Sequence, residues 1–277
     1  MTIQKAAVVG AGNMGSGIAQ KIATEGFNVI LADMNEEQAQ KGLKRIETLL
    51  GEAVERKIFK PEQVKSILGR ITATGDLDSL HDTDIVIEAV FEDIEVKQSL
   101  FRRLGEITRP DTVLATNTSS FLVAQVAEGV NKPERVIGLH YFYHPAKNRL
   151  VEVIGHEQSS EEVLNQAWAF QERIGKTPID SADAPGFVVN RFFVPWLNEA
   201  IRLKEEGHSI ASIEAASKQC FGVGMGPFEL MNVTGVPITL HASRSLAGVL
   251  GDFYAPAQTL EPQVASKENW DLSGEPD

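Results

Sequence analysis

The sequence predicts an α/β domain with a mostly parallel sheet, followed by an all-α domain, and three observations support this fold class. A short apolar run at residues 6–9 ends in Gly-x-Gly-x-x-Gly and continues as a helical pattern. Apolar runs then alternate with helical patterns over the first two thirds of the chain, whereas the last third shows helical patterns alone. This order is typical of a Rossmann-type domain, here residues 1–182, followed by a helical domain, residues 183–277.

The glycine-rich turn predicts a site for the phosphates of a dinucleotide. Gly10 allows a tight turn, Gly12 lets backbone N–H groups approach a pyrophosphate, and Gly15 lets the helix pack closely on the strand. The first helical residues, Asn13 and Met14, present unpaired N–H groups and the positive end of the helix dipole to this ligand. Taken alone, the motif also fits an ordinary strand-to-helix turn.

The segment after this helix favours NAD as the dinucleotide. Gly26 can end the helix, and the apolar run at residues 28–32 indicates a second buried strand. Asp33 follows at once, where a carboxylate accepts hydrogen bonds from the ribose hydroxyls of the adenosine half. Because no arginine comes directly after Asp33 to hold a 2′-phosphate, the sequence predicts NAD rather than NADP.

Composition and charge indicate an acidic globular protein without nucleic-acid or membrane partners. The 277 residues are 43% hydrophobic, and the formal net charge of −12 disfavours polyanions and anionic membranes as partners. No bilayer-spanning stretch and no signal peptide are found, which predicts a cytoplasmic location. The single cysteine, Cys220, forms no internal disulfide and no zinc cluster, so we expect no metal. Beside Phe221 in an apolar run, Cys220 is expected to be buried.

A helical excursion at residues 35–69 interrupts the nucleotide-binding pattern and is rich in cations. Asn35 can cap a long helix, and Pro61 opens a second, short one. Most of these cations fit a solvated helix face, while a subset that includes Lys57 could meet an anionic ligand tail. The cations are Lys41, Lys44, Arg45, Arg56, Lys57, Lys60 and Lys65.

Polar side chains follow two predicted strands at the carboxyl edge of the sheet, where a nicotinamide would lie. Glu92 and Lys97 follow one strand, and Asn117 and Ser119 follow the next. The alternative is that Ser119 or Ser120 only caps the helix expected to start at Phe121.

A carboxylate and an imidazole on adjacent predicted strands form the candidate chemical centre. Glu152 interrupts the apolar run at residues 150–154, where an unpaired charge is costly, and His140 lies in the preceding strand, residues 135–141. A carboxylate bonded to one imidazole nitrogen fixes the tautomer, leaves the other nitrogen to take a proton and stabilises the imidazolium. A surface glutamate on an edge strand, beside a core histidine with backbone partners, fits the spacing equally well.

The helical domain begins after a linker-like turn at residues 183–187. Its first predicted helix, residues 187–206, carries Asn190 near its start, facing back toward the first domain if the linker is short. The later helices are apolar enough that we expect burial against a partner subunit.

Six motifs occur in the order seen in L-3-hydroxyacyl-CoA dehydrogenases, and nearly the whole chain resembles that family. Taken together, the six are highly specific. They are Gly10-x-Gly12-x-x-Gly15, Asn117-Thr118-Ser119-Ser120, Gly138-Leu139-His140, Leu150-Val151-Glu152-Val153-Ile154, Pro185-Gly186-Phe187-Val188-Val189-Asn190-Arg191 and Gly226-Pro227-Phe228-Glu229-Leu230.

The resemblance implies an NAD-dependent oxidoreductase of fatty acid β-oxidation that converts a (3S)-hydroxyacyl-CoA to the 3-oxoacyl-CoA. His140 matches the family's general base and Glu152 its partner. Ser119 matches the serine that binds the substrate's 3-oxygen, and Asn190 matches an asparagine that positions the substrate.

The resemblance also implies how the cofactor and the coenzyme A moiety are held. Asp33, Glu92 and Lys97 match cofactor contacts, and the helical excursion matches the element that cradles coenzyme A. The family's helical domain usually forms a homodimer.

Two departures from the family pattern concern the acyl site and the tail. The family commonly has His-x-Phe-Asn-Pro where this chain has His140-Tyr141-Phe142-Tyr143-His144-Pro145. Tyr143 occupies the position of the family's asparagine. It either stacks on a bulkier or ring-bearing acyl group of the substrate or replaces the asparagine in a structural role alone. The chain ends at residues 270–277 without the family's Gly-x-Gly-Phe-Tyr segment, so the tail is divergent, disordered or cut from a longer protein.

Two other functions remain as alternatives. One is a dehydrogenase of a free hydroxy acid such as L-gulonate, which would have little need of the cationic excursion. The other is a catalytically silent NAD-binding or interaction protein. The presence of all four residues, Ser119, His140, Glu152 and Asn190, argues against a silent protein. A site that has lost its activity has no physical reason to keep a buried carboxylate.

Overall fold

The computed structural model describes residues 2–275 and divides into two compact units, Met1–Asp183 and Ala184–Asp277. The first unit contains a sheet flanked by helices, and the second is built from helices. The predicted fold class, a Rossmann-type, mostly parallel sheet followed by a helical domain, is confirmed.

The sheet of the first unit has a strand order that reverses at its centre. Its strands are β1 Lys5–Val9, β2 Asn28–Ala32, β3 Ile71–Thr74, β4 Ile85–Glu88, β5 Val113–Thr116, β6 Val136–Tyr141, β7 Leu150–Gly155 and β8 Thr177–Ala182. They lie in the order β3-β2-β1-β4-β5-β6-β7-β8, and every neighbouring pair is parallel except β6 and β7. Because the order reverses between β1 and β4, a ligand crevice is expected at the carboxyl ends of these strands.

Helices cover the sheet, and three of them are capped by the side chain of their own N-cap residue. They are α1 Asn13–Thr24, α2 Glu36–Glu55, α3 Pro61–Leu68, α4 Ile94–Ile107, α5 Val123–Val126 and α6 Glu161–Arg173. Side-chain oxygens of Asn35, Asp93 and Ser160 accept hydrogen bonds from the first turns of α2, α4 and α6. Strands β4, β5 and β6 are buried along their whole length, as expected for parallel strands covered on both faces.

The helix expected to start at Phe121 begins later, at Val123, and is a single turn. The side chain that caps it is that of Asp183, whose carboxylate accepts hydrogen bonds from the N–H groups of Val123 and Ala124 at 2.7 and 2.9 Å. A residue 60 positions away therefore takes the role that the sequence suggested for Ser119 or Ser120.

The second unit has a helical core of its own. Its helices are α7 Val189–Glu205, α8 Ile210–Phe221, α9 Pro227–Thr234, α10 Val236–Leu250 and α11 Leu260–Ser266. Trp270 is buried and packs edge-on against Phe228, with ring centroids 5.2 Å apart. Asn232 bonds both the N–H and the carbonyl of Trp270. The tail is therefore anchored as far as Trp270, although its last two residues, Pro276 and Asp277, lie outside the described residues.

The expectation that Cys220 is buried is wrong. The whole last turn of α8, from Lys218 onward, is exposed, so the apolar pair of Cys220 and Phe221 lies outside the core of this unit. Among residues 2–275, no helix is both long enough and apolar enough to cross a membrane.

Candidate active site

Two positions of the glycine-rich turn have room only for glycine. Gly10 has φ of 103°, and a Cβ there would lie 2.4 Å from the carbonyl oxygen of Ala89. A Cβ at Gly15 would lie 1.7 Å from the carbonyl oxygen of Gly10, because α1 packs directly on the turn. A Cβ at Gly12 would meet no atom of the described chain within 4 Å, so a ligand can approach the backbone there.

The start of α1 is open to an anion. Asn13 and Met14 form its first turn, and Gly12 precedes them in an extended conformation without a side-chain cap. The N–H groups of this turn carry partial positive charge and suit a phosphate.

Asp33 and Arg45 hold the glycine-rich turn from two sides. The Asp33 carboxylate accepts hydrogen bonds from the N–H groups of Ala11 at 2.6 Å and Met34 at 2.7 Å. The Arg45 guanidinium donates to the carbonyl oxygen of Ala11 at 2.8 Å. Sequence reasoning treated Arg45 only as one of several cations, since nothing local indicates that it reaches a turn 34 residues away.

Gly42 lets α2 approach the same turn, and we expect its replacement to disturb dinucleotide binding. A Cβ at Gly42 would lie 2.5 Å from the Cβ of Ala11, so Gly42→Ala should displace the turn, weaken NADH binding and cost about 1–3 kcal/mol of stability. Gly51→Ala on the same helix is the control, because a Cβ there meets nothing within 4 Å among the described residues. Calorimetric titration with NADH and thermal unfolding measure the two effects. A folded Gly42→Ala protein with unchanged NADH affinity would contradict the expectation.

His140 and Glu152 are directly opposite each other in the antiparallel pair β6–β7. Directly opposed side chains lie on the same face of a sheet, which explains why residues 12 positions apart meet. His140 Nδ1 lies 2.5 Å from a carboxylate oxygen of Glu152, which is fully buried, while the imidazole is 5% exposed. Strand β7 lies between β6 and β8, so Glu152 is not on an edge strand.

The second imidazole nitrogen faces a hydroxyl. His140 Nε2 lies 3.0 Å from Ser119 Oγ, and the ring of Phe142 packs edge-on against the imidazole at 4.6 Å between centroids. An ionised carboxylate can only accept, so we assign the proton of the neutral ring to Nδ1 and the acceptor lone pair to Nε2. Nε2 can then accept a proton from a hydroxyl group.

Glu92 and Lys97 belong to a chain of charges that begins inside the sheet. The Lys97 ammonium lies 2.6 Å from a carboxylate oxygen of Glu88 and 3.1 Å from one of Glu92, and both Lys97 and Glu88 are buried. Burial raises the pKa of Glu88, opposed by the Lys97 charge and by hydrogen bonds. For Glu92, burial acts in the same direction, but Lys97 and the hydrogen bond from Thr118 hold its pKa below the usual range.

Asn117, the first residue after β5, bonds to both strands that flank β5, namely β4 and β6. Its N–H donates to the carbonyl oxygen of Glu88, and its side-chain oxygen accepts from the N–H of Tyr141 at 2.9 Å. It therefore fixes the segment after β5 to the end of β6, next to His140.

A buried lysine that sequence reasoning missed supports the loop between β6 and β7. The Lys176 ammonium donates to the carbonyl oxygens of Pro145 and Asn148, the latter at 2.6 Å. Burial, with a smaller contribution from the charge of Lys21, lowers the pKa of Lys176 to about 8. In this loop Tyr143 is 39% exposed, with its ring 5.5 Å from that of His144.

The remaining predicted site residues have the following places in their own units. Lys57 is exposed, with left-handed backbone just after α2. Lys41 and Lys44, also in the excursion, are paired with Glu37 and Glu47. Asn190 is half-buried in the first turn of α7, in the second unit.

The fold and the site together define a class of protein. The sheet is doubly wound and has a glycine-rich turn before a helix, which is typical of dinucleotide-binding proteins. A histidine–glutamate pair on the same sheet adds a group that can transfer a proton, as a dinucleotide-dependent oxidoreductase requires. The family model "3-hydroxyacyl-CoA dehydrogenase, NAD binding domain" matches residues 5–184, and that family's C-terminal domain matches residues 186–275. The chain belongs to the 3-hydroxyacyl-CoA dehydrogenase family, a family of NAD-dependent oxidoreductases.

Similar proteins cover nearly all of the chain. A probable 3-hydroxybutyryl-CoA dehydrogenase of Bacillus subtilis (strain 168) is 39% identical, over 98% of this chain and 94% of the relative. The crystal structure of M. tuberculosis FadB2 is 33% identical with a TM-score of 0.94, over 99% of this chain and 98% of that one. The fatty acid oxidation complex subunit alpha of Psychrobacter sp. (strain PRwf-1) is 36% identical over 92% of this chain, which spans only 35% of that longer relative.

Proposed function

We propose that this protein oxidises a (3S)-hydroxyacyl-CoA to the 3-oxoacyl-CoA, with His140 as general base and Glu152 as its partner. One observation carries the proposal. The His140 imidazole has the Glu152 carboxylate at one ring nitrogen and the Ser119 hydroxyl at the other. An imidazole held in this way can take a proton from an alcohol that lies beside the hydroxyl.

In the proposed reaction, the substrate's 3-hydroxyl lies beside Ser119 Oγ and His140 Nε2. His140 removes the hydroxyl proton, and Glu152 stabilises the imidazolium that forms. The Ser119 hydroxyl donates to the substrate oxygen as negative charge develops on it. NAD, held by the glycine-rich turn and Asp33, would supply the acceptor for the hydride that leaves C3. In the reverse direction His140 returns the proton to the oxygen.

The proposed cofactor contacts are the glycine-rich turn, the start of α1, Asp33, Glu92, Lys97 and Asn117. The cradle of glycine backbone and the uncapped N-terminus of α1 support the phosphate contacts. Asn190 is proposed as a substrate contact on the family resemblance alone. Tyr143 is proposed as a neighbour of the acyl group, because it is exposed on the loop that follows His140.

The coenzyme A moiety is proposed to contact the cations at the end of the helical excursion. Among residues 2–275, Arg56, Lys57, Lys60 and Lys65 form no ion pair with an acidic side chain, unlike Lys41 and Lys44. The chain as a whole has a net charge of −12, so these cations provide a local positive charge that attracts the phosphates of coenzyme A.

The decisive experiment is NADH consumption against matched thioesters and free acids. We expect acetoacetyl-CoA to be reduced and free acetoacetate to show little turnover, because only the thioester carries the anionic tail. Longer, cyclic and aromatic 3-oxoacyl-CoAs define the acyl group. NAD reduction with L-gulonate, together with inactivity toward every thioester, would instead identify a free-acid dehydrogenase.

Two lysines of the same backbone conformation provide an internal control for coenzyme A recognition. Lys57 and Lys132 are both exposed and both left-handed, with φ of 58° and 61°. Lys57→Glu is expected to raise KM for acetoacetyl-CoA and leave KM for NADH unchanged, while Lys132→Glu changes neither. Equal KM values for acetoacetyl-CoA in the two variants would remove Lys57 from the proposed substrate contacts.

The protein is further proposed to act in the cytoplasm, in fatty acid oxidation, as a homodimer through its helical domain. Large apolar side chains are exposed on this unit, which supports burial against a second copy. They include Phe192, Phe221, Ile238, Val249 and Phe253. Sedimentation equilibrium of the purified chain tests the dimer.

A further inference from the structure

Three successive residues of the loop that carries Ser119 donate hydrogen bonds to one carboxylate, that of Glu92. Strand β5 ends at Thr116, three residues before Ser119. One oxygen of Glu92 accepts three hydrogen bonds from this loop: from the Thr118 hydroxyl at 2.5 Å and from the N–H groups of Ser119 and Ser120, both at 2.9 Å. The position of the Ser119 backbone therefore depends directly on where the Glu92 carboxylate lies.

Glu92 is itself fixed from inside the protein. Its other oxygen lies 3.1 Å from the Lys97 ammonium, and its side chain is 30% exposed. The Lys97 ammonium is bonded to buried Glu88, whose carboxylate also accepts from the Thr116 hydroxyl and the Val90 N–H, both at 2.7 Å. A continuous series of contacts thus runs from Glu88 through Lys97 and Glu92 to Ser119.

We propose that Glu92 is a positioning residue for catalysis, which acts through the loop at residues 118–120 to hold the Ser119 hydroxyl against His140 Nε2. Lys97 and Glu88 fix Glu92 in turn. This goes beyond the cofactor contact that the family resemblance implies for Glu92, and it rests on the proposed function of Ser119 and His140. A charged acceptor suits this task, because hydrogen bonds to a carboxylate are shorter and stronger than those to a neutral group.

A double-mutant cycle in kcat separates positioning from cofactor binding. Glu92→Gln keeps the shape of the side chain but removes its charge, so we expect kcat at saturating NADH to fall about tenfold to a hundredfold. In a Ser119→Ala background the same change should have little further effect, because there is no hydroxyl left to misplace. If the two losses multiply, or if Glu92→Gln raises only the Kd for NADH, the proposal is wrong.

A readout without substrate separates a failure of this inference from a failure of the proposed function. In protein labelled with ¹⁵N-histidine, the signal of His140 Nε2 reports its hydrogen bond with Ser119. Glu92→Gln should shift this signal in the same direction as Ser119→Ala, while Glu95→Gln, an exposed carboxylate in the first turn of α4, should leave it in place.

The combined outcomes distinguish the two proposals. A shifted Nε2 signal in a protein that turns over no 3-oxoacyl-CoA would leave the positioning role in place and overturn the proposed function. An unshifted signal in an active, folded Glu92→Gln protein would overturn the positioning role alone.

Discussion

His140→Gln is expected to lower kcat for acetoacetyl-CoA reduction by about 10²–10⁴-fold, the usual contribution of a general acid–base residue. Glutamine can still donate a hydrogen bond to Glu152, but it cannot release or take a proton at neutral pH. NADH binding should persist, because the turn at residues 10–15 is held by other side chains, notably those of Asp33 and Arg45. Steady-state kinetics and fluorescence titration with NADH measure the two quantities.

The matched control is His208→Gln, since His208 is exposed on the turn after α7. It should leave both kcat and NADH affinity unchanged. Turnover of His140→Gln at a rate near that of the native protein would show that another group transfers the proton. Loss of NADH binding in a folded His140→Gln protein would show that the histidine also shapes the cofactor site.

Much of this site could be predicted because its signals are local. The charged residue in the apolar run of β7 indicated a buried carboxylate, and a histidine on the preceding strand was the natural partner. What the sequence left open was whether the two strands pair in a register that brings these residues together. The observed register sets His140 opposite Glu152, which a shift by one residue would prevent by moving one side chain to the other face.

The features that could not be predicted depend on contacts between distant parts of the chain. Asp183 caps α5, and Lys176 holds the loop after β6 through carbonyl oxygens about 30 residues away. Neither role has a local pattern, since an aspartate in a linker and a lysine before a strand are ordinary surface residues by composition. Cys220 shows the reverse error, because an apolar neighbourhood in sequence indicated burial where the helix end is exposed.

The series of charged residues Glu88, Lys97 and Glu92 could be predicted only in part. Two of its members, Glu92 and Lys97, were predicted at the carboxyl edge of the sheet, and the structure places the Lys97 ammonium in contact with the carboxylates of both Glu88 and Glu92. Sequence position alone gives no means of telling whether such a group faces a ligand or supports another loop. That distinction follows only from the three hydrogen bonds that converge on one oxygen of Glu92.

Glu152→Gln is expected to lower kcat by about 10²–10⁴-fold with a small change in thermal stability, by analogy with carboxylates that orient a catalytic histidine. The amide oxygen can still accept from Nδ1, but the amide carries no negative charge to stabilise the imidazolium. Because Glu152 is fully buried, water cannot replace that charge, and the loss should persist at high salt. The exposed Glu157, in the turn after the same strand, provides the control Glu157→Gln, for which native kinetics are expected. If kcat of Glu152→Gln stayed within threefold of the native value, with the His140 imidazole still in place, Glu152 would be a structural partner only, and the charge that balances the imidazolium would have to come from elsewhere.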